Sequence, residues 1–257
     1  MSKKSSSQQC AAGLALLCGA LLAPSPRSAA GTTRGAAPGI TARVAAEAAT
    51  WTATIVAGRD ATMIENADGA LANGSGPYFF AGRNNQAQDS VRRALVWFDV
   101  AGSLPPGAIV QSARLVLFMT PSNPETREMR LHRVLADWSE GPSSSAGGGG
   151  APSEPGDVTW IHTLHPVDFW LYNGAQFAGE PSARAEVGAT GTYVWQSSEL
   201  TRDVRVWSVA PALNFGWILI GDETLRQTAK SFASRENPDE TIRPVLEVTY
   251  RKLLQGP

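Results

Sequence analysis

From residue 51 onward, apolar and polar positions alternate in short runs broken by Gly, Pro, Asn and Ser. Residues 110–119 (VQSARLVLFM) show it most clearly. Ala113, Leu115, Leu117 and Met119 fall on one face of an extended chain, and Arg114, Val116 and Phe118 on the other, the period of two that a strand imposes. Residues 129–135 (MRLHRVL) alternate again, with Met129, Leu131, Val134 and Leu135 as core contacts. Similar runs predict strands at 52–56, 77–81, 94–100, 158–161, 192–195, 204–206, 216–220, 231–234 and 245–250, set off by turn clusters such as NGSG at 73–76 and PPG at 105–107. Leu200, Val204 and Trp207 stand at i, i+4 and i+7, which predicts a short helix over 200–209 whose apolar stripe covers the sheet. Many short strands, one helix and frequent Gly/Pro turns define an all-β antiparallel β-sandwich.

Residues 143–156 (SSSAGGGGAPSEPG) interrupt the pattern with four consecutive glycines. They read as a domain linker or as a loop inside one domain. The flanking segments are single strands that do not bury themselves alone, which favours the loop and a single domain over 51–252. A structureless loop of this length is long for a compact domain.

The first thirty residues carry a different pattern. Lys3 and Lys4 precede an uncharged apolar run at 11–23, and small residues follow at Ser28, Ala29 and Ala30. This is the order of a signal peptide, too short for a membrane-spanning helix. The expectation is export, with a leader at 1–30 and a flexible spacer at 31–50. Cys10 and Cys18, the two cysteines of the 257 residues, both lie in the leader, so the remainder is built without disulfides. Formal net charge is -1, and loss of Lys3, Lys4 and Arg27 with the leader takes it to -4. An acidic chain has no basic excess to neutralise phosphates, which excludes nucleic acid as a partner.

Candidate chemistry is sparse. No nucleophile elbow, phosphate loop or dinucleotide fingerprint occurs, so the chain reads as no enzyme. His162 and His165 with Asp168 resemble metal-ligand spacing, but off a helix two imidazoles need not converge. Asp137, Glu140, Asp157, Asp222, Glu223, Glu236, Asp239 and Glu240 sit beside turns. Any two suit a glycosidase pair only if brought about 5–10 Å apart, and turn capping and arginine pairing are the simpler reading. Asp60, Asn66 and Asp68 offer oxygen ligands from one loop, the chemistry calcium selects. Of eight tryptophans, Trp97, Trp195, Trp207 and Trp217 stand in apolar runs and read as core. Trp160, Trp170 and Tyr172 border the loop region, where flat aromatic faces suit stacking on sugar rings.

Several stretches, in order, resemble the DNRLRE domain family, related to carbohydrate-binding module family 96 and the disaggregatase-related repeat. They are residues 60–83, 93–100 (RALVWFDV), 104–119, 132–141 (HRVLADWSEG), 158–160, 174–183, 214–223 (NFGWILIGDE), 231–236 (SFASRE) and 243–250 (RPVLEVTY). The resemblance spans about 52–250 and implies a jelly-roll-like β-sandwich, exported and polysaccharide-binding. It departs at Gln176, where the family commonly carries Asp, which puts any site using that Asp in doubt. The resulting expectation is an exported, non-catalytic module that binds a polysaccharide or cell-surface glycan. Trp160, Trp170 and Tyr172 are its stacking residues, and Arg133 and Asp137 serve hydroxyls. The alternatives are an adhesive surface protein recognising protein or itself and, behind it, a polysaccharide-degrading enzyme.

Overall fold

In the computed structural model, which describes residues 49–252, the alternating runs form fifteen strands and two α-helices. In chain order these are β1 (Thr50–Val56), β2 (Arg59–Ile64), β3 (Leu71–Asn73), β4 (Tyr78–Arg83), β5 (Val91–Trp97), α1 (Val100–Ser103), β6 (Ala108–Met119) and β7 (Arg127–Arg133). Then come β8 (Ala151–Pro152), β9 (His162–Leu164), β10 (Asp168–Phe169), β11 (Ala183–Val187), β12 (Gly191–Gln196), α2 (Ser198–Val209), β13 (Trp217–Ile220), β14 (Lys230–Ala233) and β15 (Val245–Lys252). Residues 1–48, where a leader and spacer are expected, lie outside the described residues. Among the described residues, no helix is long and apolar enough to cross a membrane.

The strands make a jelly-roll-like antiparallel β-sandwich. One sheet runs β1-β15-β6-β12, with β14 pairing the end of β6 and β4 pairing β14. The other runs β8-β3-β2-β5-β13-β7-β11. Strand β4 belongs to both, since Gly82 and Arg83 pair with β5. The alternation of β6 holds as expected. Ala113, Leu115, Leu117 and Met119 are buried, and Arg114 is exposed. Between Thr249 and Tyr250 the register with β6 slips and skips Gln111, a bulge that lets Val110 as well as Ala113 face inward. The principal core joins these residues to Phe79, Val96, Leu131, Trp195, Trp217 and Phe232. Helix α2 closes it, with Ser197 as N-cap accepting from the Leu200 amide at 2.9 Å and with Leu200, Val204 and Trp207 buried.

Three expectations are corrected. Residues 204–206 are helical, because the i, i+4, i+7 stripe overrides their β-branched character. The strand expected at 158–161 lies at His162–Leu164. The glycine-rich loop is not structureless. Asn73 Oδ1 accepts the Ser145 amide at 2.8 Å, buried Arg92 donates from Nε to the Gly148 carbonyl, and β8 pairs Ala151 with Ala72.

The second sheet is buried on both faces. Outward residues Ala61, Met63, Leu95, Ile218 and Ile220 meet Val134, Trp138, Val158, Trp170 and Ala175 in a second apolar cluster. The latter five come from the long excursion between β7 and β11, so this segment roofs the sheet. That explains why β13 (WILI) is apolar at every position.

Candidate functional site

Two outward-facing arginines fasten the roof to the sheet. The Arg59 guanidinium lies 4.9 Å from the Trp97 ring centre and 4.8 Å from that of Trp138. It donates to the Trp138 carbonyl and, at 3.2 Å, to Asp137. Arg93 lies 4.9 Å from the ring centre of Trp160 and 5.5 Å from that of Phe177. Its Nε and Nη2 bind both carboxylate oxygens of Glu223 at 2.7 and 2.9 Å, and Nη1 donates to the Gly174 carbonyl at 2.6 Å. Each guanidinium thus contacts two aromatic rings while a carboxylate answers its charge.

This arrangement separates the aromatic residues singled out in the sequence. Trp170 is 5% exposed and donates its indole N–H to the Thr159 carbonyl at 3.1 Å. It belongs to the roof's apolar interior rather than to an open stacking face. Trp160 is half-buried against Arg93 and Gly174. Tyr172 is 67% exposed. Arg133 does not join them. Its Nε lies 3.9 Å from Asp203 of α2, buried and making no hydrogen bond. Asp137 is exposed and held by Arg59.

Tyr172 instead lines an open groove of about 490 Å³ with Arg93, Leu135, Asn173, Gln176 and Phe177. Leu135, expected in the core, is exposed on its lip. Gln176 takes a local structural part, since its Oε1 accepts the Leu171 amide at 3.0 Å. The groove combines an aromatic face, apolar walls and two side-chain amides, and its one charged lining residue is neutralised by Glu223. Sequence reasoning missed Arg93. Its signal was a pair of arginines, Arg92 and Arg93, inside the otherwise apolar run VRRALVW.

The loop carboxylates mostly cap and pair. Asp157 is buried and accepts the Ser143 and Glu154 amides at 3.1 and 2.6 Å. Asp222 and Asp239 cap turns through Thr224 and Thr241, whose hydrogen bonds hold both carboxyls below their usual range. Glu240 pairs with Arg243 at 3.2 Å.

Asp60, Asn66 and Asp68 do not gather. Asn66 caps its own turn by accepting the Asp68 and Ala70 amides, while Asp60 is buried on β2. Among the described residues, the one group of three potential metal ligands is Asp60, Glu140 and Glu236, with donor atoms within 4.8 Å of one another. Arg235 already answers much of that charge. It grips Glu140 at 2.7 and 2.8 Å and Glu236 at 2.8 Å, and its amide donates to Asp60 Oδ2 at 2.7 Å. Burial pushes the Asp60 carboxyl well up, and burial and then Glu140 raise Glu236. Hydrogen bonding to Glu140 raises Arg235 in turn.

The histidine pair does converge. The Nδ1 atoms of His162 and His165 are 3.4 Å apart, and Thr159 Oγ1 lies 2.9 Å from that of His162. Asp168 is exposed and forms no group of three ligands with them.

Fold and site together define a β-sandwich module with one sheet face roofed by an ordered loop layer that carries an open groove. No protein-family model matches the chain, and no curated protein matches it.

Proposed function

We propose that this protein is an exported, non-catalytic module that binds polysaccharide through the groove beside Tyr172. The exposed Tyr172 ring beside the Asn173 and Gln176 side chains carries this reading. An aromatic face stacks on the C–H face of a sugar ring, and amide groups match its hydroxyls. The leader-like residues 1–30 support export, and the resemblance to the DNRLRE domain family supports the ligand class. A shallow groove with one stacking ring gives weak affinity, of the order of micromolar to millimolar.

Affinity electrophoresis through gels cast with individual polysaccharides tests this. Retention is expected in at least one gel, and Tyr172→Ala weakens it at least tenfold while leaving the thermal midpoint unchanged. A wild-type protein that no polysaccharide retards refutes the reading.

One observation favours a second reading, adhesion to protein. Val167, Phe169, Leu171 and Tyr172, four apolar residues within six positions, are each 61–67% exposed, and large exposed apolar surface marks interaction sites. Concentration-dependent self-association in sedimentation, abolished by Phe169→Ser and Leu171→Ser, supports it.

A further inference from the structure

Ala146 and Gly148 of the glycine-rich loop form one wall of a second groove. On β4 the inward residues are Phe79 and Ala81, so Tyr78 and Phe80 share the outward face, each half-buried. They line an open groove of about 530 Å³ together with Thr120, Ser122, Ser231 and Gly148. A Cβ at Gly148 would stand 3.3–3.7 Å from the Phe80 ring, so any larger side chain there projects over the ring and fills the space. Backbone geometry does not require glycine at 148, as its φ lies outside the left-handed region, in contrast to Gly150 at φ +76°.

The wall is also held in place. Arg92, 1% exposed, donates to the Gly148 carbonyl and to the Asp89 carbonyl at 2.7 Å. Burial pushes the guanidinium down to about 10, and its donors are directed to protein oxygens. A bare wall fixed by a buried arginine keeps two aromatic faces open.

The chemistry of the lining specifies the ligand. Every lining residue is uncharged, and the cations of the flanking strands are committed elsewhere. Lys230 on β14 is fully buried, with Nζ donating to the Asn123 carbonyl at 2.5 Å and to that of Glu125. A carboxylate or sulfate entering this groove would give up strong hydration with no cation to offset the loss. An uncharged sugar ring has far less hydration to lose, and the Ser122 hydroxyl, which accepts the Ser231 amide at 3.1 Å, keeps its proton for a ligand oxygen.

We propose that the groove between Tyr78, Phe80 and Gly148 is a second saccharide site, selective for neutral pyranosides over acidic ones. This rests on the carbohydrate reading above but uses a different set of residues.

Backbone NMR of the full chain, titrated separately with cellohexaose, mannohexaose, maltohexaose and hexagalacturonate, tests it. A neutral hexaose is expected to shift amides at 78–80, 120, 122, 148 and 231. Gly148→Leu abolishes those shifts, and Tyr172→Ala leaves them in place. If Gly148→Leu lowers the thermal midpoint, Tyr78→Ala takes its place and weakens the same response at least fivefold. Shifts confined to residues 171–177 overturn the second site and leave the first intact. A response at this groove to hexagalacturonate alone overturns the neutral selectivity. No response to any of the four at 78–80 and 148, with polysaccharide retention still lost in Tyr172→Ala, likewise overturns the second site alone.

Discussion

Five tryptophan indoles each donate to a named oxygen: Trp97 to the Asn214 carbonyl, Trp138 to that of Phe215, Trp170 to that of Thr159, Trp195 to that of Met129, and Trp217 to Asp203 Oδ2. A buried ring whose polar atom is satisfied contributes its full apolar area. Trp170 and Tyr172 therefore part company two residues apart. Trp170→Ala empties a packed site and is expected to cost about 3–5 kcal/mol, whereas Tyr172→Ala is expected to stay within about 0.5 kcal/mol of wild type. Urea denaturation of both variants checks this, and equal destabilisation would show that the roof is not packed as described. Nothing in the stretch WIHTLHPVDFWLY distinguishes these aromatics by type. Their exposure is set by which neighbours the roof brings over them, and those neighbours are distant in sequence. Trp195 and Trp217 were legible as core because they stand in apolar runs, and Trp207 because it lies on the helical stripe.

The roof is the element least visible in the pattern. Its strands β8, β9 and β10 are two or three residues long, too short for a period to register. Its order comes from side chains instead. The His162 ring packs 4.4 Å from Phe169 and 4.7 Å from His165. Burial, and then the charge of His165, lowers the basicity of His162. A base depressed in the fold binds protons more readily when unfolded, so stability rises with pH. The contribution is complete above the unfolded value of about 6.5 and shrinks as pH falls through the folded one. His132 on β7 is lowered too, mainly by burial, and adds a slope of the same sign. Thermal midpoints measured between pH 7.5 and 5 should fall, and His162→Asn should flatten that fall. An unchanged slope in the variant would dissociate His162 from it.

Across the whole molecule, Arg235 ties together parts far apart in the chain: Asp60 on β2, Glu140 in the roof and Glu236 after β14. Removing it leaves three carboxyl groups facing one another. Its side chain is 39% exposed, so Arg235→Ala is expected to cost about 2 kcal/mol at pH 7, below the roughly 3–5 of a fully buried pair. Without the guanidinium the raised Asp60 and Glu236 carboxyls rise further, and their protonation relieves the repulsion. The penalty should therefore shrink as pH falls toward 4.5. A penalty independent of pH in chemical denaturation would show that Arg235 acts by packing alone.

The division between sequence and structure follows from the range of the forces involved. Strand alternation in residues 110–119, the helical stripe of Leu200, Val204 and Trp207, and the Gly/Pro turns are local consequences of side-chain direction and backbone freedom, so the all-β class was determined by the chain itself. Which face of the second sheet is covered, which aromatics stay open, and that Arg59 and Arg93 stack on roof aromatics depend on segments 67 to 81 residues apart meeting across the sheet. No period records such meetings. Only the tertiary structure brought Tyr172 to the edge of a groove, buried Trp170 in the roof's apolar interior, and placed Gly148 against Phe80.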